Sequence, residues 1–553
     1  MVSNRGDLMF FNKLIWGIDF GTANTAVSTI QYKGGVPLPE ILDLEDAQRT
    51  IPTALYFDEK SSYLIGGMAI SGWKENSKGF IRWLKMNIGN DNFEFTPKSN
   101  DDLTLGRFDI YDLITLFFKH IITKCKHRYN QEVENVIVSI PAYFGDNERQ
   151  KIIDCMRILD IKCELIEEPT AALISYIYDE YLSRAKVDFG DNKKYYTIFD
   201  LGAGTFDISI AEVKFEAGTY NISVIANSGA NNLGGFYIDV SILKYLIKKG
   251  KEIDNNNISY YTQLEKGINE LISTGVVSDC ELWSKLYDLL LICEETKKYF
   301  TMTKGPLGRK TIYLRKDVPI ELYRDDFNKI INSFIDEIDI ICNKAFEIAK
   351  NNSNGEIVDF DDIDKVIRIG LQTNTYKIKE YINQKFKNKL HENTDVHLAV
   401  AKGNAIYAAY RNEINLGYFN FHKCSNHNYG VKVGDEKCIV INHGDIYPGK
   451  PKEKKIKASA VLAPDLEIEC FIESYSQAKK IDEVIKKISY YHPFLYAGDD
   501  IAVTLELNEN GMLSVNAVDE YGVSVDKEVQ DCKLKDTIIQ EKKKVLEEIE
   551  AEV

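Results

Sequence analysis

The sequence predicts a large α/β domain, an antiparallel β-sandwich after it, and a short helix at the C-terminus. Three observations carry that prediction. From Leu14 to about Glu413, short β-rich runs alternate with helical periods, the pattern of strands and helices packed in layers. After Tyr429 the runs shorten and alternate with Gly, Asn, Pro and Asp turns, as in a sandwich. Beyond Asp531 one amphipathic stripe remains, made by Ile538, Ile539, Val545, Leu546 and Ile549; a helix so short must dock on something or fray. A chain of 553 residues is too long for a single core. The expected division is 14–413 for the α/β domain, 414–428 for a connecting segment, 429–530 for the sandwich and 531–553 for the terminal helix.

The individual elements follow from local pattern. The N-terminal MVSNRGDLMFFNKLIW has a short apolar patch broken by Asn12 and Lys13, so it lacks the core of a secretory signal. VENVIVSI (Val133 to Ile140) reads as a buried strand, and NERQKIIDCMRIL (Asn147 to Leu159) as an amphipathic helix. KCIVI, EIECFIES, IAVTLEL and MLSVNAVD read as sandwich strands. The apolar run LYDLLLIC is eight residues long and contains Asp288, far short of a membrane span.

Composition narrows the function. Hydrophobic residues make up 44% and charged residues 27%, ordinary for a globular protein. The net charge of -16 opposes nucleic-acid binding, which favours a basic face. Ten cysteines are scattered singly with no C-x-x-C pair, the usage of reduced thiols in a cytoplasmic protein. His422, Cys424 and His427 offer three metal donors, but no fourth follows at a familiar spacing, so a polar connecting segment is the plainer reading.

Two glycine-rich turns point to phosphate. IFDLGAGTFDIS (Ile198 to Ser209) runs a strand into Asp200, turns through Gly202, Ala203, Gly204 and Thr205, and resumes as a strand at Asp207. WGIDFGTANTAVS (Trp16 to Ser28) echoes it, with Asp19 before Gly21, Thr22 and Ala23. Glycine lets bare backbone amides approach an anion as a nest. A carboxylate at the strand end repels phosphate and needs a hydrated Mg²⁺ between them. Two such hairpins in opposite halves of an α/β domain predict duplicated lobes gripping phosphates across a cleft. Gly234 and Gly235 follow an apolar strand and precede a helical run, which places them at a helix N-terminus. Glu168-Pro169 opens another helix, with proline at its favoured position. Glu294, Lys297, Lys298 and Thr301 fall on one face of ICEETKKYFT, as a polar nucleoside shelf or an ordinary solvated face.

Together these residues resemble the seventy-kilodalton heat-shock chaperone family, a branch of the actin-like ATPases. GIDFGTANT, IPAYFGDNERQ, IEEPTAALISY, IFDLGAGTFDIS, NNLGG, CEETKKYFT and AVAKGNAI carry the likeness, in order along nearly the whole chain. IAVTLELNENGMLSVNAVD (Ile501 to Asp519) is similar to the end of the family's peptide-binding sandwich, which filament-forming actins lack. The resemblance implies an actin-like domain of two lobes with ATP or ADP and Mg²⁺ in its cleft. It implies that Asp19, Asp200 and Asp207 hold Mg²⁺ and its waters, and that Thr22 and Thr205 contact the terminal phosphates. Lys85 in WLKMNIG stands where the family has its catalytic lysine, and Glu168 where a residue helps position metal-bound water. Pro141 and Arg149 match positions that relay nucleotide state toward the linker. The implied partners are polypeptide clients, with J-domain and nucleotide-exchange co-chaperones; neither nucleic acid nor membrane is expected.

Several positions depart from the family. Ala203 replaces a glycine, a change that a backbone outside the left-handed region tolerates. Gly370 is kept in the adenine loop, but Leu371 replaces its second glycine, Asn374 its stacking arginine and His397 an aspartate of the same wall. Loss of an arginine stack removes about 0.5–2 kcal/mol, a decade of affinity. The connection INLGYFNFHKCSNHN lacks the family's leucine-rich docking run, and KVGDEKCIV is more polar than its apolar substrate loop. The terminal helix is a truncated lid, so a bound client should leave fast. The expected function is a slow chaperone-type ATPase whose sandwich binds polypeptide. The alternative is a nucleotide-binding but catalytically silent scaffold or sensor with a dedicated partner. An actin-like sugar kinase, the third class, would lack the terminal sandwich.

Overall fold

The computed structural model describes residues 16–551 apart from 46–47, 59–61, 102, 184–192, 218, 303–307, 354, 393–394, 413, 415–418, 426, 435, 458–464, 477–478, 492–495, 497, 529–532 and 548. The N-terminal apolar patch and the expected domain edges at 14, 413 and 530–531 lie outside the described residues.

The first lobe is built from β1 (Trp16–Phe20), β2 (Asn24–Lys33), β3 (Val36–Ile41), α1 (Ile110–Tyr129), β4 (Asn135–Ile140), α2 (Asp146–Ile158), β5 (Lys162–Glu167) and α3 (Glu168–Leu182). Its sheet runs β5-β4-β1-β2-β3, with β1–β2 and β2–β3 antiparallel and β1–β4 and β4–β5 parallel. The second lobe repeats that plan with β6 (Lys193–Leu201), β7 (Phe206–Glu216), β8 (Thr219–Ala230), α4 (Gly235–Ile253), α5 (Ile258–Thr274), α6 (Cys280–Met302), α7 (Arg324–Asn352), β9 (Lys365–Ile369), α8 (Tyr376–Lys385) and α9 (Ala399–Arg411). There β6–β7 and β7–β8 are antiparallel, and β9 and the short Leu390–His391 strand are parallel additions. The duplication expected from the two hairpins is therefore a duplication of sheet order. Parallel strands buried on both faces read as apolar runs, which is why NVIVSI and KVIRI are so hydrophobic. α3 and α9 pack at close range between the lobes. A Cβ on Gly403 would come within 1.8 Å of the Ala171 carbonyl oxygen.

The connecting segment carries a strand. β10 (Phe419–Cys424) adds to the edge of the second lobe's sheet, parallel to Tyr220–Ser223 of β8. The segment lacks a leucine-rich run, but β10 gives it a docking contact of another kind. A strand ladder is made by backbone groups and needs no leucine run. Its aromatic residues supply the packing, with Phe419 stacked on Tyr220 at 5.3 Å and against Tyr181 at 5.3 Å.

The sandwich comprises β11 (Asn428–Val433), β12 (Glu436–Ile441), β13 (Lys452–Lys457), β14 (Asp465–Ser476), β15 (Lys479–Tyr491), β16 (Asp500–Leu507), β17 (Leu513–Asp519) and β18 (Ser524–Glu528). Two four-stranded antiparallel sheets, β12-β11-β14-β15 and β13-β16-β17-β18, enclose a core that includes Val431, Ile468, Val503 and Val515. Inward residues alternate with outward ones along β16 and β17, the pattern read from the sequence. The terminal helix α10 (Asp536–Glu547) does not cover the sandwich. It lies on the first lobe, where Ile539 and Leu546 join the core of α1 and α2 and Lys542 reaches Asp109 and Asp112. No described helix is long and apolar enough to cross a membrane.

Candidate functional site

The two glycine hairpins face each other across the cleft between the lobes. A Cβ on Gly204 would lie 2.9 Å from Thr22 Oγ1, so the turns touch and any side chain there would push Thr22 aside. Each turn is closed by its own backbone. Gly21 N donates to Asp19 O, and Gly202 N donates to Thr205 O, both at 3.1 Å. Thr53 braces the first turn, with Oγ1 donating to Gly21 O at 2.8 Å and its amide donating to Ala23 O at 2.9 Å. Ala203 is not among the residues with positive φ, which is how it replaces glycine without strain. Its carbonyl accepts the Phe236 amide at 2.7 Å, while Gly235 N donates to Gly202 O at 3.0 Å. The Gly234–Gly235 turn at the start of α4 is therefore built onto the second hairpin.

The carboxylates converge where the strands end. Asp200 and Asp207 are direct cross-strand partners of β6 and β7, an arrangement that opposes two negative charges. Asp19 holds the equivalent place in the first lobe, but there its cross-strand partner is Ala26. Burial, then Glu168, raise the Asp19 carboxyl to about 7. Burial and then Glu168 also drive Asp200 and Asp207 well above the usual carboxylate range, with Asp207 and Asp19 adding to the effect on Asp200. Asp207 Oδ1 accepts the Ala142 amide at 3.2 Å, while Oδ2 is buried with no partner among the described residues. Lys85 is 6% exposed and its Nζ bonds Glu168 Oε1, so the one ammonium in this cluster is already set beside the acid that heads α3.

These residues fit a hard divalent cation: the donors are all oxygen, the charges are crowded, and one oxygen is unsatisfied. No group of three His, Cys, Asp or Glu side chains among the described residues is placed to ligate a metal directly. The fit is to an ion that keeps its water shell, the usual habit of Mg²⁺.

The expected nucleoside wall is assembled differently from its sequence pattern. Lys297 is buried beneath the shelf, where Nζ donates to Gly235 O and Asp239 Oδ2, both at 2.7 Å. Lys298 pairs with Glu294 and Glu295 at 3.1 and 2.9 Å, and Thr301 Oγ1 donates back to Lys297 O. Gly370 keeps φ +77°, and a Cβ there would meet Leu201 O at 2.3 Å, so its glycine is required. Leu371 is exposed and His397 lies at the exposed edge of the wall. Asn374 Oδ1 accepts from Arg368 Nη1 at 2.6 Å. Arg368 of strand β9 therefore holds the side chain at position 374. Arg368, Gln372 (which a Cβ on Gly235 would meet at 2.6 Å) and Thr53 are the residues that sequence reasoning missed. Asn374 and Thr301 also line a cavity of about 910 Å³ with Tyr376 and Lys379.

A second constellation joins the sandwich to the lobes. Arg149 of α2 is buried, with Nη1 and Nη2 both 3.1 Å from Glu167 Oε1 and Nη1 also donating to Asn510 O at 3.1 Å. Tyr447 OH donates to the same Glu167 oxygen at 2.6 Å. Lys423 of β10 donates to Glu164 Oε1, Leu165 O and Glu509 O at 3.2, 2.6 and 2.9 Å. Burial opposes the Glu167 carboxylate, but Arg149, Lys423 and Tyr447 hold it below its ordinary pKa. Pro141, the other expected relay position, accepts the Phe144 amide beside this cluster.

The family model described as Hsp70 protein matches residues 15–552. The chain is 24% identical over 395 residues to a chaperone protein DnaK of Elusimicrobium minutum, covering 71% of this chain and 57% of that protein. It is 25% identical over 415 residues to a chaperone protein DnaK of Thalassiosira pseudonana, covering 72% and 62%. With the counterpart from Thermosipho melanesiensis it shares 26% over 395 residues, covering 71% and 58%. The chain spans about six-tenths of the length of these relatives.

Proposed function

The chain belongs to the Hsp70 family, and from that premise we propose that it is a chaperone-type ATPase that binds and slowly hydrolyses Mg-ATP and binds polypeptide through its sandwich. One observation carries the reading. Both glycine hairpins, the three strand-end carboxylates and the Lys85–Glu168 pair converge on a single cleft.

Phosphoryl transfer asks little covalent chemistry of a protein, so the work falls to charge placement and an oriented water. The amides of Gly21, Thr22 and Ala23 and of Gly202, Ala203, Gly204 and Thr205 would grip the terminal phosphates from two sides, with the Thr22 and Thr205 hydroxyls as further donors. Gly234 and Gly235 add amides at the start of α4. Mg²⁺, when bound, supplies positive charge at the phosphate oxygens, and Asp19, Asp200 and Asp207 would hold it through its waters. Lys85 offers its ammonium to the developing charge, and Glu168 both orients that lysine and accepts from the attacking water. Lys298, Thr301, Leu371 and Asn374 would face the nucleoside. Single-turnover hydrolysis tests this reading. Wild-type protein should turn over slowly with Mg²⁺, and Lys85→Ala should lose at least a hundredfold, the usual scale for one transition-state charge.

The silent scaffold remains the second reading, favoured by a specific observation. Asn374 is spent on Arg368, and Lys298 is paired within α6, so the nucleoside wall is largely self-satisfied. Nucleotide-stabilised protein without turnover would select it. Polypeptide clients, J-domain and exchange co-chaperones, and a cytoplasmic location are proposed with the family, and the nine described cysteines are all free thiols.

A further inference from the structure

The turn that carries Lys85 has an unusual backbone and an unusual neighbour. Trp83, which caps the 3-10 turn Leu84–Asn87, sits at φ 61° and ψ 37°. A left-handed conformation is rare for a bulky aromatic residue, and it persists only where the surroundings enforce it. The enforcing contacts come from the opposite lobe. The Trp83 ring lies 4.7 Å from Phe236 of α4, 5.9 Å from Tyr287 and 6.3 Å from Trp283 of α6. Phe236 directly follows Gly235, and its amide bonds the second glycine hairpin.

The far end of the same turn is also held from across the cleft. A Cβ on Gly275, at the tip between α5 and α6, would meet Asn87 Oδ1 at 1.9 Å. Asn90 Nδ2 donates to Thr274 O at 3.5 Å. Arg82 Nη1 donates to the Tyr287 hydroxyl at 3.2 Å, just before Trp83. Both flanks of Lys85 are therefore fixed by the second lobe, while Lys85 itself bonds Glu168 of the first.

We propose that Trp83 is a positioning residue that makes the placement of Lys85 conditional on closure of the two lobes, and this rests on Lys85 serving the ATP site. A nucleotide must enter between the lobes, so the aromatic contact has to part and re-form. With Phe236, Trp283 and Tyr287 withdrawn, Trp83 keeps only the Arg82 guanidinium, 5.5 Å from its ring, and the edge of the Tyr56–Phe80 cluster, too little to hold it left-handed. The turn then relaxes and Lys85 leaves Glu168. Closure restores the contact and returns the ammonium to the phosphate end of the cleft. A half-closed state thus binds nucleotide without the charge that speeds its hydrolysis.

The decisive variants change the second lobe and are read in the first. Trp283→Ala and Phe236→Leu remove ring contact and leave residues 83–90 untouched. Amide hydrogen exchange in the 83–90 segment of the full chain, without nucleotide, should quicken at least tenfold in both variants. In the same variants single-turnover hydrolysis should fall at least tenfold while equilibrium binding of fluorescent ATP changes less than threefold. Trp83→Ala should reproduce that split, and Trp83→Phe should recover most of the rate. Unchanged exchange at 83–90 overturns the proposal whatever turnover does. Faster exchange in a protein whose wild type has no turnover upholds the positioning and overturns the ATPase reading alone.

Discussion

Asp200 and Asp207 face each other across one strand pair, and Asp19 adds a third carboxyl from the other lobe. The charged forms oppose one another and burial opposes each. Asp200→Asn keeps the shape and removes a carboxyl that folding must desolvate or protonate. It should stabilise the nucleotide-free protein by about 1–3 kcal/mol near neutral pH, by relief of desolvation and like-charge repulsion. It should also abolish the rise in melting temperature that Mg-ATP confers on the wild type. Calorimetry with and without ligand measures both, and a variant still stabilised by Mg-ATP would remove Asp200 from the site. These aspartates, the threonines and the glycines were legible in the sequence because a tight turn is local. Each residue of it is fixed by its neighbours in the chain. Arg368, Gln372 and Trp83 were not legible. Their roles are set by strand pairing and lobe contact, which bring residues together that nothing in their spacing relates. Lys297 shows the same limit, since helical spacing placed it on the right face but could not tell that Asp239 lies beneath.

At the scale of elements, β10 and α10 differ from expectation in instructive ways. The connecting segment lacks a leucine-rich run, yet β10 is held by a ladder and by the Lys423 ammonium. Burial lowers the Lys423 pKa, and Glu164 and Glu167 counter it. Removing one member of such a buried cluster costs about 3–5 kcal/mol, because the partner charges lose their complement, whereas an apolar replacement of similar size can be neutral. Lys423→Ala should accordingly loosen β10 and the sandwich together, seen as faster proteolysis within 414–428 and an earlier melting transition. Lys423→Met should be closer to wild type, and equal damage in both would mean that the ammonium itself holds the strand. The amphipathic stripe of α10 was readable, but its docking site was not, because an apolar face does not name what covers it. Lys542 bridges Asp109 and Asp112, the two halves of the capping box that starts α1. Lys542→Ala removes both charged bonds and leaves those carboxylates facing each other, which should cost about 1.5–3 kcal/mol of first-lobe stability in urea.

The whole molecule is held closed at two places, and their chemistry makes the closure pH-dependent. On the first lobe the loop around Asn510 meets Arg149 and Leu165, whose amide donates to Asn510 Oδ1 at 2.9 Å. On the second lobe the sandwich loop at His443 meets β8 and α7. His443 Nε2 lies 3.2 Å from Asn227 O, and Asn352 Nδ2 donates to His443 O at 3.1 Å. His427 is beside it, and its Nε2 and His443 Nδ1 are buried without partners among the described residues. The charged groups acting on this pair are Lys344 of α7 and Arg149 of α2, both cations, and the Tyr429 ring lies 6.2 Å from His427. Burial first, then His443 and these cations, lower His427 to about 3; burial, then Lys344 despite the Asn227 bond, lowers His443 to about 4. A depressed histidine contributes stability that is present above its free value near 6.5 and is lost as pH falls toward the docked value. At pH 5 that loss is about 2 kcal/mol for each ring, at 1.36 kcal/mol per pH interval. Asp146 works in the other direction, since burial raises it to about 6 where its carboxylate accepts the Leu513 amide. Its protonation favours docking by about 1.5 kcal/mol between pH 7 and pH 5. The histidines win by about 2.5 kcal/mol, some sixtyfold in the docking equilibrium. X-ray scattering should therefore show a larger radius of gyration at pH 5 than at pH 7.5, reversible on return. His443→Gln, which keeps a neutral donor and acceptor, should stay compact to lower pH. An equal expansion in that variant would assign the transition to unfolding of a lobe instead of release of the sandwich.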